Sequence, residues 1–239
     1  ITKWAEFLDL FVADRVPKIP GSILGLSGKL YEFLADAGAS PVKQSRFADT
    51  TDVAADRAIF KKDPRVQLLM DNGAGPAGPG SIGATWELGY NSWPIKEAKA
   101  TSYYLGSDGA LAPAKPSAST AGYTADPKAR PAQTLAGSDE GAAWKAQPPY
   151  NWAPIAAGKG LGFTTPALTK DLVIAGTSSL DLWLKSTAKD TDLQVTLTEV
   201  RPDGNETYVQ NGWLRASHRK LNAKLSTATD PVPTHLKKD

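Results

Sequence analysis

The sequence predicts a mainly-β protein: an antiparallel sandwich from about Val66, preceded by short helices. Two strand-like runs and a turn between strands carry that expectation. Leu180, Leu182 and Leu184 alternate with Asp181 and Trp183, and Leu193, Val195 and Leu197 alternate with Gln194, Thr196 and Thr198. A period of two turns one apolar face toward a core, so both runs read as half-buried strands. The second run is followed by Arg201-Pro202-Asp203-Gly204-Asn205. Proline fixes one backbone torsion and Asp-Gly accepts positive φ, which predicts a hairpin turn with Gly204 in the left-handed region.

The helices come first in the chain. Residues 2–16 place Trp4, Phe7, Leu8, Phe11 and Val12 at helical spacing, with Glu6, Asp9 and Asp14 elsewhere around the barrel. This predicts an amphipathic helix with the apolar set in the core, stopped by Pro17 and Pro20. A second helix is expected over about residues 27–37, burying Leu30, Phe33 and Leu34 and ending at Gly38. A third is expected over about 52–62, ending before Pro64. Strands are expected over 66–71, 85–88 and 101–105, the last turned by Gly106-Ser107-Asp108-Gly109. Residues 112–152 are poor in aliphatic side chains and rich in Pro, Ala, Gly and Ser, with Trp144, Tyr150 and Trp152 as anchors. Such a composition cannot bury enough surface to fold alone, and in a plain linker it would be disordered.

Several stretches carry a family resemblance. TTPALTKDLVIAG (164–176), LDLWLKSTAKDTDLQVTLTEVRPDG (180–204) and NGWLRASHR (211–219) resemble the C-terminal sandwich of X-Pro dipeptidyl-peptidases and cocaine-esterase-like hydrolases. The landmarks fall in order: Thr-Thr-Pro before a strand, Asp190-Thr191-Asp192, the Pro-Asp-Gly hairpin, and Leu214-Arg215 after a glycine. Upstream, RVQLLMDNGAG, Trp93-Pro94 and YYLGSDGAL are similar to the start of that domain. The resemblance implies a jelly-roll, galactose-binding-like fold over residues 65–239, with residues 1–64 as the helical tail of an α/β-hydrolase domain and its connection. It also implies that a Ser-His-Asp triad belongs to that preceding domain and not to the sandwich.

The 239 residues are enough for one large or two small domains. A net charge of +2, with both signs interspersed, concentrates no field for nucleic acid or anionic lipid, so neither is expected as a partner. With no cysteine there is no disulfide, thiolate metal site or cysteine nucleophile. No apolar run approaches the roughly 20 residues that span a bilayer. The chain opens on Ile1 and its single methionine is Met70, which predicts further polypeptide upstream.

Motifs that could carry chemistry are few. Gly73-Ala74-Gly75-Pro76-Ala77-Gly78 follows a strand and has Glu97 beyond it, but Pro76, Pro79, Gly80 and Gly83 forbid the helix that a dinucleotide fingerprint must open. A nucleophile elbow needs G-x-S-x-G; Pro79-Gly80-Ser81-Ile82-Gly83 lacks the first glycine, so Ser81 is not expected to be a nucleophile. A triad needs a histidine between serine and acid. His218 reads as a structural or surface residue beside Arg219, and His235 lies in a polar tail. Asp190 and Asp192, or Asp203 and Glu206, could offer oxygens to a cation, but no calcium-loop spacing accompanies them. The structural alternative is an ion pair from one aspartate to Arg215 or Arg219. Asn205-Glu206-Thr207 fits the N-glycosylation pattern.

No catalytic, cofactor or metal residue is therefore expected in the chain. The resemblance implies a non-catalytic part of a serine hydrolase, one that supports the catalytic α/β-hydrolase domain of the same parent chain, walls its pocket for a small peptide or ester substrate, needs no cofactor, and assists homo-oligomer assembly. The alternative is a carbohydrate-binding sandwich, since exposed aromatic rings stack on sugars. A jelly roll usually has eight strands, and the polar end around Lys237 and Lys238 predicts a sandwich left incomplete, with an open strand edge.

Overall fold

The computed structural model describes residues 1–35, 42–70, 84, 86–126, 128–129, 156–204, 206–227 and 231–234. These fall into two compact units, one drawn from Ile1–Ser92 and Glu199–Tyr208, the other from Trp93–Ala132, Ala153–Thr198 and Val209–Asp239.

Three helices open the first unit: α1 (Thr2–Phe11), α2 (Gly21–Ala35) and α3 (Val53–Phe60). Helix α1 stops at Phe11, five residues short of the expected end, and Asp14 sits just beyond it at φ 52°. Its buried residues are Glu6, Asp9 and Leu10, whereas Trp4, Phe7, Leu8 and Val12 are exposed. The expected core face is thus corrected. The inward sector is held by specific partners: the Glu6 carboxylate accepts from Ser45 Oγ at 3.1 Å and the Arg46 backbone N–H at 3.3 Å. Asp9 accepts from Arg15 Nε at 2.8 Å. Phe7 and Phe11 meet Phe60 of α3 at centroid distances of 6.4 and 5.6 Å.

Helix α2 starts at Gly21, six residues before the expected start, because the Pro20 carbonyl accepts from the N–H groups of Ile23 and Leu24. Leu30 and Phe33, expected in the core, are exposed. Helix α3 follows its sequence signal: the Asp52 side chain accepts from the Ala55 N–H at 3.0 Å and caps the first turn. Among the described residues, the buried apolar side chains of this unit include Leu10, Pro17, Ile19, Val42 and Phe47. Gln44 ties Ile19 in place by accepting from its N–H and donating to its carbonyl.

Strands β1 (Val66–Met70) and β2 (Trp86–Tyr90) pair antiparallel with Leu68 opposite Leu88. Val66, Leu68, Met70, Leu88 and Tyr90 are half-buried while Gln67, Leu69 and Glu87 face out, the alternation expected of a one-sided sheet. Pro64 lies against Gly89 so closely that a Cβ there would sit 2.5 Å from Pro64 Cγ. Gly89→Val is accordingly expected to cost about 1–3 kcal/mol through overpacking. Urea denaturation checks this, and an unchanged midpoint would contradict the seating of Pro64 on β2.

In the second unit, β3 (Tyr104–Leu105) and β4 (Leu111–Ala112) form a two-residue ladder closed by a turn with Gly109 at φ 83°. Residues 101–103, expected in the strand, are outside it. Thr164 bridges Ala110 alongside. The third two-stranded sheet, not confined to this unit, is formed by β5 (Asp192–Val200) and β6 (Glu206–Arg215), and Gly204 in their connection has φ 81°, as its turn position requires. Among the described residues from Val66 onward the regular structure is β apart from one turn of 3₁₀ helix, Ala216–His218.

The expected strand over 180–184 is absent. Among the described residues no ladder runs beside it, and Leu180, Leu182, Trp183 and Leu184 are all exposed. Alternation marks a segment able to pair, but a strand needs a neighbour to satisfy its backbone. Strands among the described residues pair only two by two, in three separate sheets. No helix among them is long and apolar enough to cross a membrane.

Candidate functional site

Among the described residues of the second unit, a polar constellation closes the open end of the β5–β6 hairpin. Asp190-Thr191-Asp192 on one side meets Arg215-Ala216-Ser217 on the other in three successive rungs. Arg215 donates from Nε to Asp192 Oδ1 at 2.7 Å and from a terminal nitrogen to Oδ2 at 2.9 Å, a two-pronged pair. The Ala216 N–H donates to the Thr191 carbonyl at 2.9 Å. Ser217 Oγ donates to Asp190 Oδ2 at 2.7 Å, and the N–H groups of Ser217 and Thr191 both donate to Oδ1. Asp190 thereby also satisfies a free N–H of the 3₁₀ turn. Together Asp190, Thr191, Asp192 and Arg215 line an open recess.

The electrostatics follow from these donors. The Ser217 hydroxyl, then the backbone N–H groups of Thr191 and Ser217, hold the Asp190 carboxyl below its ordinary range. The Arg215 guanidinium does the same for Asp192, and Asp192 in turn holds Arg215 above its own. Carboxylates so stabilised are weak bases near neutral pH. The Ser217 hydroxyl is directed at a carboxylate and not at an imidazole, so the arrangement lacks the relay by which a serine is activated. His218 stands close enough for its charge to act on Asp192, yet among the described residues no hydrogen bond joins it to a serine. Each carboxylate oxygen here already faces a protein donor, and among the described residues no group of three or more His, Cys, Asp or Glu could hold a metal ion. The pairing of Asp192 with Arg215 is the one the sequence allowed for, though the pair is solvent-exposed and so weakened by salt. Ser217 was missed; its signal is the spacing that brings Asp190 opposite it once Asp192 faces Arg215.

The remaining candidates are dispersed. Arg219 donates to the Ala216 carbonyl and closes the 3₁₀ turn. At the hairpin tip Arg201, largely buried, donates to Thr207 Oγ1 at 2.7 Å and pairs with Asp203 at 3.3 Å. Thr207 is buried, and Asn205, the other end of the glycosylation pattern, lies outside the described residues. So do the glycine-rich loop with Ser81, His235, and residues 130–152 with Trp144, Tyr150 and Trp152.

A second ionic cluster, unanticipated from sequence, sits in the first unit. Asp63 accepts from both terminal nitrogens of Arg46 and from Lys3 Nζ, and these donors, Arg46 foremost, hold its carboxyl below the ordinary range. Arg46 reaches the buried Glu6 with Nε at 3.6 Å and lies over the Phe47 ring at 4.6 Å. Nothing here resembles a nucleophile with its base; the cluster ties α1 to the segments before and after α3.

A family model described as the X-Pro dipeptidyl-peptidase C-terminal non-catalytic domain matches residues 58–235. The chain belongs to that family. The domain is non-catalytic by description. Among curated proteins the chain is similar to two that carry the name "Putative serine esterase", from Mycobacterium bovis and Mycobacterium tuberculosis. Each is 31% identical over 140 residues, covering 55% of this chain and 21% of the relative. The chain therefore spans about a fifth of the length of the curated relatives it matches. No solved structure matches it.

Proposed function

We propose that the chain is the non-catalytic C-terminal part of a serine hydrolase, acting on an X-Pro peptide or an acyl ester, and that it supports the catalytic α/β-hydrolase domain of the same polypeptide and the wall of its substrate pocket. The match to the non-catalytic family domain over residues 58–235 carries this reading. In it the parent cleaves substrate through an acyl-enzyme formed on a serine outside this chain. Residues 1–64 are the helical tail of the hydrolase domain and its connection, and residues 65–239 belong to a jelly-roll, galactose-binding-like sandwich. Assistance to homo-oligomer assembly belongs to the same role.

A second reading, a carbohydrate-binding module, draws on the exposed rings of Trp183 and Trp213. The family match supports the first reading, which is therefore preferred. The isolated chain is expected to give no burst with p-nitrophenyl esters and no change in tryptophan fluorescence with oligosaccharides. An ester burst would overturn the non-catalytic assignment, and saturable quenching by a sugar would favour the second reading.

A further inference from the structure

Helix α2 carries a row of apolar side chains beyond the face it buries. Toward its own unit it turns Leu24, Ser27 and Gly28, with Ser27 buried and its Oγ donating to the Leu24 carbonyl. On another side Ile23, Leu26, Leu30 and Phe33 are 50%, 60%, 46% and 78% exposed. Lys29 and Glu32, the helix's charges, lie off that stripe. A surface helix normally turns polar and charged residues to solvent, so an exposed apolar row marks a contact face. The 3-4-3 spacing of the four residues is a two-heptad seam, the pattern that receives another helix at a shallow crossing angle.

The occupant follows from area and position. Four side chains supply only part of the roughly 800 Å² per partner that a stable dimer buries. A partner in the same polypeptide needs far less, because its effective concentration is high. Helix α2 also precedes the matched segment 58–235, and a C-terminal domain has its enzyme body before it. The curated relatives extend over nearly five times the matched length. We infer that the Ile23–Leu26–Leu30–Phe33 face of α2 is the seat of a helix from the catalytic part of the same hydrolase. This rests on the proposed function and adds the surface through which support is given.

The test places Leu26→Glu with Leu30→Glu in two backgrounds, the 239-residue chain and the full-length hydrolase polypeptide. Both side chains are exposed in the chain alone, so its melting temperature is expected to stay within about 1 °C. In the full-length polypeptide the midpoint is expected to fall by about 5 °C or more, the scale on which a lost apolar contact registers in a domain of this size. Lys29→Ala, off the seam, should alter neither. An unchanged full-length midpoint overturns the inference, as does a dimeric isolated chain that the double variant makes monomeric, which assigns the seam to a second copy. A full-length polypeptide without hydrolase activity is a separate outcome: it removes the proposed function whatever the seam does.

Discussion

Leu10→Ala is expected to destabilise the chain by about 2–5 kcal/mol, whereas Trp4→Ala should leave stability within about 0.5 kcal/mol. Leu10 has no exposed surface, while Trp4 on the same helix is 73% exposed. Truncating Leu10 removes its transfer free energy and leaves a cavity where its buried side chain packed. Truncating Trp4 uncovers nothing already buried. Urea denaturation of the two variants side by side measures the contrast. Equal losses would mean that α1 packs on its Trp4–Leu8–Val12 side, and the inward face described here would be wrong.

Glu6→Ala is expected to cost about 3 kcal/mol, by stranding buried donors and an ion-pair partner. Glu6 is 2% exposed and accepts from Ser45 Oγ, itself buried, and from the Arg46 N–H. Its removal leaves both without that acceptor and leaves Arg46 with Asp63 alone. The Asp63 pair adds a pH dependence whose sign is fixed. Arg46, and then Lys3, hold the Asp63 carboxyl below its ordinary value, so the stability from this pair is present above the unfolded-state value near 4 and is lost as pH falls through the folded one. Asp63→Asn should therefore flatten the stability profile below about pH 4. A profile as steep as that of the unaltered chain would show that other carboxylates govern its acid sensitivity.

What the sequence made legible was local. The Pro-Asp-Gly turn, the helix before Pro64 and the strand from Val66 each depend on residues a few positions apart, and each is present. The inward face of α1 depends instead on Ser45 and Arg46, about 40 residues away, which supply the donors that let a glutamate be buried. Helical periodicity sees only the apolar stripe, and so it assigned Trp4, Leu8 and Val12 to the core. The alternation of 180–184 was read correctly as a pattern but not as a strand, since pairing needs a neighbour that the pattern does not name. At the hairpin base, Asp192 and Arg215 were legible as complementary charges, while the Asp190–Ser217 rung required the register itself.

The central claim is that this chain supports a serine hydrolase without performing its chemistry. Its most direct test is reaction with a fluorophosphonate probe, followed by mass-spectrometric location of the label, on the 239-residue chain and on the full-length polypeptide. The expected result is no stoichiometric label on the chain and, in the full-length polypeptide, one labelled serine outside these 239 residues. Labelling of any serine within the chain, Ser81 and Ser217 included, would contradict the claim.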